Sequence, residues 1–140
     1  MNDTYVGYQG LGRHRVNIVS KESVLTIAHE IGHLLGLEHE QQRSDARTYI
    51  EPTTNLKTRG AEQFQPLSYA KAIGKYDLLS ITHYTQYLDE TMVHNTRLPA
   101  FNLRPGYEPY SGRIGIKRVS ALDIAAMKAH YAGMLKLVRG

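Results

Sequence analysis

The chain has 140 residues, of which 41% are hydrophobic and 21% charged, a composition typical of one globular domain. It contains neither an apolar run long enough for a membrane span nor an N-terminal apolar stretch of the signal-peptide kind. The absence of cysteine excludes disulfides and thiolate metal sites, and a net charge of +4 on scattered residues argues against a nucleic-acid-binding surface.

The first half of the chain has two kinds of periodic pattern. Residues 4–6 and 15–19 are rich in β-branched side chains and flank several glycines, which predicts two strands joined by a loop. Ser20 is a suitable N-cap for a helix that we expect to end at Gly36. Its apolar residues recur at helical spacing and predict one buried face: Val24, Ile27, Ala28, Ile31 and Leu35.

The second half is less regular. Residues 43–76 are polar and interrupted by prolines, so we expect irregular surface chain with at most a short helix near 67–72. Residues 95–115 are predicted to be mostly loop. A second helix is predicted to start at Ser120, which forms a capping pair with Asp123, and to end at Gly133.

The segment from His29 to His39 contains the pattern H-E-x-x-H-x-x-G-x-x-H. His29 and His33 are four residues apart, so a helix places both imidazoles on one face, where both can reach one zinc ion. Gly36 allows the sharp turn that returns His39 to the same ion. Three neutral imidazoles leave a coordination position for water, which is the mark of a catalytic rather than a structural zinc site.

Glu30 lies roughly 100° further round the helix than His29, so it is poorly placed to be a fourth ligand. It can instead accept a proton from the metal-activated water and return it to the leaving amine, which is amide hydrolysis. Two histidines alone at this spacing are more often surface residues. The added glutamate, glycine and third histidine favour the zinc interpretation. The remaining histidines, such as His94 and His130, have no companions at ligand spacing.

This three-histidine motif resembles that of the metzincin metallopeptidases, and the residues after it are similar to the astacin family, with its pattern H-E-x-x-H-x-x-G-x-x-H-E-x-x-R-x-D. Glu40, Arg43 and Asp45 fill the last fixed positions. Residues 76–84, YDLLSITHY, are similar to the family segment Y-D-Y-x-S-I-M-H-Y, and residues 116–124 to the stretch before its C-terminal helix. The resemblance extends from about residue 4 to residue 131.

The resemblance implies a secreted zinc metalloendopeptidase that cleaves protein or peptide substrates in extended conformation, with no nucleic-acid or membrane partner. His29, His33 and His39 would bind the zinc ion, and Glu30 would be the general base. Tyr84 matches the family tyrosine that can bind the resting metal and then stabilise the tetrahedral intermediate as a hydrogen-bond donor.

Other matched residues would have structural roles. Glu40 would be a structural carboxylate, Arg43 and Asp45 would form local polar contacts, and His83 would support the turn before Tyr84. Thr82 departs from the family, because it stands where a methionine is expected under the three histidines. Threonine is smaller and has a hydroxyl that needs a partner when buried, so we expect a less rigid site and a gain in thermal stability on Thr82→Met.

The implied fold is α+β of the zincin or metzincin type, with an active-site helix, a C-terminal helix, a loop-rich C-terminal subdomain and a reduced N-terminal sheet. Only 28 residues precede His29, so we expect one partial domain over 1–140. Residues 1–36 would hold residual strands and the zinc helix, and 37–140 the C-terminal subdomain. The alternative is a zinc-binding, catalytically impaired remnant. Glu30 and Tyr84 favour the enzyme, whereas the short N-terminal part favours the remnant.

Overall fold

The computed structural model describes residues 24–115 and 118–139. The helices and strands, in chain order, are α1 (Val24–Leu34), β1 (Ile50–Pro52), α2 (Thr58–Glu62), β2 (Phe101–Leu103) and α3 (Ala121–Arg139). Three 3₁₀ helices are short: Glu40–Gln42, Ala46–Thr48 and Glu108–Tyr110. The strands predicted at 4–6 and 15–19, and the predicted cap at Ser20, lie outside the described residues. Among the helices described, none is long and apolar enough to cross a membrane.

Strands β1 and β2 form a two-stranded antiparallel sheet. Ile50 pairs with Leu103, and Pro52 pairs with Phe101. About 50 residues of chain separate the two strands, which explains why local patterns did not predict them. The sequence also does not predict α2, and residues 67–72, where at most a short helix is expected, contain a turn and no helix.

The hydrophobic core lies around this sheet, and aromatic rings form much of it. The ring of Phe64, just after α2, lies 5.6 Å from that of Phe101 on β2. Tyr49 and Tyr76 stack with their ring centroids 4.5 Å apart. The buried members of this core are Ala46, Ile50, Phe64, Tyr76, Leu78, Val93, Ala100, Phe101 and Ile114. The core contains residues before and after the turn formed by residues 80–84, such as Leu78 and Val93. Packing of these residues therefore holds the turn in place against α1.

The buried face of α1 differs from the predicted one. Val24 is 78% exposed and Ile31 is 44% exposed, although both belong to the apolar stripe expected to be buried. The buried residues of α1 are instead Thr26, Glu30, Gly32 and His33. The prediction was wrong for Val24 and Ile31, whereas Ile27, Ala28 and Leu35 are half-buried. The helix contacts the turn at residues 80–84 through His29 and Gly32, so polar and small residues belong to its buried face. Gly36 follows the helix with φ +97°, the left-handed conformation expected of a glycine at a helix end.

The start of α3 agrees with the predicted capping pair. The Ser120 hydroxyl accepts a hydrogen bond of 2.9 Å from the Asp123 backbone N–H, and the Asp123 carboxylate accepts one of 3.0 Å from Ser120 N–H. The predicted end at Gly133 is wrong, because the helix continues to Arg139. A single glycine in a helix costs only about 1 kcal/mol relative to alanine, which a 19-residue helix tolerates.

Candidate metal centre

Three histidines converge at the end of α1. His29 and His33 project from the same face of the helix, and His39 returns to them after the turn at Gly36. Nε2 of His33 lies 3.0 Å from Nε2 of His29 and 3.1 Å from Nε2 of His39. Among the residues that the structure describes, these three form the group whose ligand atoms could share one metal ion.

The hydrogen bonds of the first two rings fix which nitrogen is free for a metal. His29 Nδ1 lies 2.7 Å from the Ile81 carbonyl, and His33 Nδ1 lies 2.6 Å from the Leu37 carbonyl. A carbonyl oxygen only accepts, so both Nδ1 atoms carry the proton and both Nε2 atoms present lone pairs to each other. A tetrahedral zinc ion with nitrogens at about 2.0–2.1 Å spaces them about 3.3 Å apart, so this donor set fits the ion.

Burial keeps two of the candidate ligand rings neutral at neutral pH. It lowers the pKa of His39 to about 3, with repulsion from His33 and His29 adding to the effect and a hydrogen bond to the Gln42 side chain opposing it. Burial also lowers the pKa of His33, against the hydrogen bond to Leu37. Neutral imidazole is the form that binds a metal ion, so these rings are prepared for one at neutral pH.

Tyr84 borders the three histidines, and Glu30 is buried on the helix that carries two of them. Glu30 is only 7% exposed and lies on α1 beside His29. The Tyr84 ring packs edge-on to His39 with centroids 4.8 Å apart. Burial raises the pKa of Tyr84, and the Glu30 and Asp89 carboxylates add to the rise while Arg59 opposes it. The phenol therefore stays protonated at neutral pH and can donate a hydrogen bond.

Two glutamines that the sequence did not single out hold Tyr84. The Tyr84 hydroxyl donates to Oε1 of Gln63 at 3.1 Å, and Tyr84 N–H donates to Oε1 of Gln41 at 3.1 Å. Gln41 is fully buried, and its Nε2 donates to the Gln63 carbonyl at 3.2 Å. A third glutamine, Gln42, lies near His39, and its Nε2 donates to the carbonyls of Glu62 and Gln65 at 3.4 Å. Glutamines have no characteristic spacing in such sites, so no signal in one sequence would have identified them.

Thr82 lies directly beneath α1, where its methyl carbon is 3.6 Å from the position that a Cβ on Gly32 would occupy. The side chain is only 1% exposed, and its hydroxyl lies 3.1 Å from the Ser80 hydroxyl. Ser80 donates in turn to Oδ1 of Asp123 at 2.5 Å. The buried hydroxyl of Thr82 thus has the partner that its burial requires.

Arg43 ties the turn after His39 to a neighbouring loop. Its guanidinium donates to both carboxylate oxygens of Asp45 at 2.9 Å and to Glu40 at 3.1 Å. It also donates to the carbonyls of residues 73–75. Glu40 accepts a further bond of 2.8 Å from Asp77 N–H, and burial raises the pKa of Glu40 to about 7. These contacts agree with the structural roles expected for Glu40, Arg43 and Asp45.

His83 supports the turn before Tyr84, as expected. Its Nδ1 donates to the Tyr84 carbonyl at 2.8 Å, so its Nε2 accepts from the Tyr76 hydroxyl at 2.8 Å. Burial lowers the pKa of His83 to about 4. His83, like His94 and His130, is outside the three-histidine group found among the described residues.

Comparison with known proteins decides the family. The model of the peptidase family described as Astacin matches residues 3–132. The chain belongs to the astacin family. Blastula protease 10 of Paracentrotus lividus is 32% identical over 111 residues, which are 74% of this chain and 19% of that protein. Astacin-like metalloprotease toxin 5 of Loxosceles gaucho is 38% identical over 65 residues, which are 44% of this chain and 35% of the toxin.

The fold is that of a solved astacin-type protein. High choriolytic enzyme 1, a hatching enzyme zinc-protease from the medaka fish Oryzias latipes, superposes with a TM-score of 0.80 at 24% identity. The superposition covers 94% of this chain and 64% of that one. The predicted α+β, metzincin-like fold class is thereby confirmed. The chain spans only about a fifth of the length of Blastula protease 10.

Proposed function

We propose that this chain is a zinc-dependent endopeptidase that hydrolyses peptide bonds. The observation that carries the proposal is the convergence of three histidine side chains, two of them on a helix that also bears a buried glutamate, in a chain of the astacin family. His29, His33 and His39 would hold the ion through Nε2. A zinc ion held there supplies a Lewis acid and lowers the pKa of an attacking water to about 7.

Glu30 would act as the general base and then as the general acid. Its carboxylate belongs to the same helix as two of the proposed ligands, so it would need to move a proton only a short distance. The carboxylate is also shielded from bulk water, so a proton that it takes up is not readily lost to the solvent. It would take the proton of the attacking water and deliver it to the leaving amine nitrogen. Each turnover then returns the carboxylate to its starting state.

Tyr84 would stabilise the developing oxyanion. Its phenol is protonated at neutral pH because burial raises its pKa, so it can donate a hydrogen bond to negative charge. In the present structure that proton is shared with Gln63 Oε1, which means that the phenol must leave this acceptor to reach a substrate. Gln63 would therefore keep the hydroxyl ordered between turnovers.

Protein or peptide segments in extended conformation are the proposed substrates, and secretion is the proposed localisation. The support is the family together with the names of relatives, which include a hatching enzyme and a toxin.

The test is metal content together with cleavage of a denatured protein such as casein. The purified chain should contain one zinc ion, lose activity on chelation and regain it with zinc. Glu30→Gln should retain zinc and lose about 10²–10⁴-fold in rate, because only the proton transfer is removed. Tyr84→Phe should also retain zinc and lose about 10²–10³-fold.

Glu51→Gln is the matched control, since Glu51 pairs with Arg104 at the surface, away from the three histidines. It should cleave at the parental rate. Zinc binding without any cleavage by the parent chain would favour the catalytically impaired remnant, whereas absence of zinc would refute both.

A further inference from the structure

A chain of buried hydrogen bonds runs from the start of α3 to the metal centre. The Asp123 carboxylate accepts from the Ser80 hydroxyl at 2.5 Å and from the Ile81 N–H at 2.8 Å. The Ile81 carbonyl accepts from His29 Nδ1 at 2.7 Å. One carboxylate on α3 is therefore two hydrogen bonds away from a proposed zinc ligand on α1.

The hydroxyls in this chain have a defined direction. Ser80 uses its only proton on Asp123, because a carboxylate is the stronger acceptor, so its oxygen accepts from Thr82. The Thr82 backbone N–H also donates to the Ser80 oxygen at 3.2 Å. Asp123, Ser80 and Thr82 are all buried. No member of this set can turn away to water without leaving a buried partner unsatisfied.

We propose that Asp123 is a positioning residue of the zinc site, which it reaches through the 80–82 turn. By holding Ser80 and Ile81, it keeps the Ile81 carbonyl under His29 and thus fixes the Nδ1–H tautomer that leaves Nε2 for the metal. Ser80 and Thr82 continue this chain of hydrogen bonds to the place where Thr82 packs under Gly32, which lies between His29 and His33 in the sequence. This inference rests on the proposed zinc site. It attributes part of the geometry of that site to Asp123, which is 94 positions from His29 along the chain.

Charge explains why a carboxylate is needed. Asp123 accepts three hydrogen bonds, from Ser80, Ile81 and Ser120, and it stands in the first turn of a long helix, where the helix dipole favours a negative charge. An asparagine has one acceptor oxygen in place of two, and its NH₂ group would face donors. Asp123→Asn therefore removes the hold on the turn while changing the side-chain volume little.

The experiment measures the zinc dissociation constant by competition with a chelator, together with the unfolding temperature of the metal-free protein. Asp123→Asn should weaken zinc binding about 10–100-fold, the usual effect of losing an outer partner of a metal ligand. Ser80→Ala should weaken it about two- to tenfold. Glu108→Gln removes the same charge at an exposed turn, where Glu108 binds Gly106 N–H, and should leave zinc binding unchanged.

A second readout is the ring ¹⁵N spectrum of the metal-free protein at pH 8. His29 should be Nδ1-protonated in the parent and in Glu108→Gln, with a measurable Nε2–H population in Asp123→Asn and Ser80→Ala. A purely structural role would lower the unfolding temperature and leave the zinc dissociation constant and the tautomer of the folded protein unchanged, which would overturn the proposal. If the parent binds no zinc, the proposed function fails, and the tautomer measurement still decides the positioning role.

Discussion

The hydrophobic core and the surroundings of the candidate metal centre both contain fully buried side chains, but these are held by different forces. Ile50, Phe101 and Val93 are inaccessible to solvent and surrounded by apolar and aromatic groups. At the metal centre, Gln41 and Thr82 are equally inaccessible, yet each is held by named donors and acceptors. Stability in the core depends on apolar area, whereas geometry at the centre depends on every polar atom having its partner.

This difference predicts that the two regions can be damaged separately. A change in the core should lower the free energy of unfolding and leave the folded centre intact. A change at the centre should alter metal binding or its pH dependence more than stability.

The largest difference between the effect on zinc binding and the effect on stability is expected for His33→Ala. Two ligands in place of three should weaken zinc binding by about 10³-fold or more. Loss of the buried ring and of its bond to the Leu37 carbonyl should lower the metal-free unfolding free energy by only about 1–3 kcal/mol. Chelator competition and urea unfolding of the metal-free protein measure the two quantities. Zinc binding near the parental value would show that this ring is not a ligand.

Phe101→Ala should give the opposite result. Phe101 is fully buried on β2 against Phe64, so its truncation should cost about 3–5 kcal/mol of unfolding free energy. The folded fraction should still bind zinc with the parental dissociation constant. Urea unfolding provides the test, and a loss below about 1 kcal/mol would mean that the core is not where most stability resides.

Acid should destabilise the metal-free protein through His83. Burial lowers its pKa to about 4, whereas the unfolded chain binds a proton near the ordinary value of 6.5. Between these values the unfolded state holds the extra proton, so stability is full above pH 6.5 and falls as the pH is lowered towards 4. The slope from this residue is at most about 1.4 kcal/mol per pH unit.

The control is His83→Gln, which cannot take up a proton in this range and should have a shallower slope in unfolding measurements at several pH values. Equal slopes in parent and variant would show that His83 is not protonated differently in the two states.

The smallest effect is expected for Thr82→Met. The sequence alone suggested a gain in stability, but the structure adds the hydrogen bond to Ser80 that methionine would lose. A cavity of about 360 Å³ borders Thr82 and leaves room for the longer chain. Gained apolar burial and the lost bond each amount to about 1 kcal/mol, so the net change should be under about 1 kcal/mol. A larger gain in thermal unfolding would mean that the hydroxyl pairing contributes nothing.

Much of the centre could be predicted from the sequence, because helical spacing fixes which side chains meet. The four-residue interval of His29 and His33, the glycine turn and the capping pair at Ser120 all follow from local geometry. The structure brings the three histidines together as that spacing requires. Their role as metal ligands stays a prediction.

Other features could not be predicted, because distant partners decide them. His29 and Gly32 of α1 contact the distant turn at residues 80–84, and β1 pairs with β2 across about 50 residues of intervening chain. Gln41 and Gln63 hold Tyr84 through hydrogen bonds that produce no periodic pattern in the sequence. The helical state of Gly133 reflects a small local penalty that the rest of α3 overcomes.

Arg43 illustrates how narrowly one position can be restricted. Its planar guanidinium donates to two carboxylates and to three successive carbonyls. Its five N–H groups serve these six acceptor atoms because Nη1 shares one N–H between two of its three acceptors. A lysine offers one compact ammonium and would have to abandon part of this set. Arg43→Lys would therefore release the loop of residues 73–75 from the segment that carries His39, even though the formal charge of the protein stays the same.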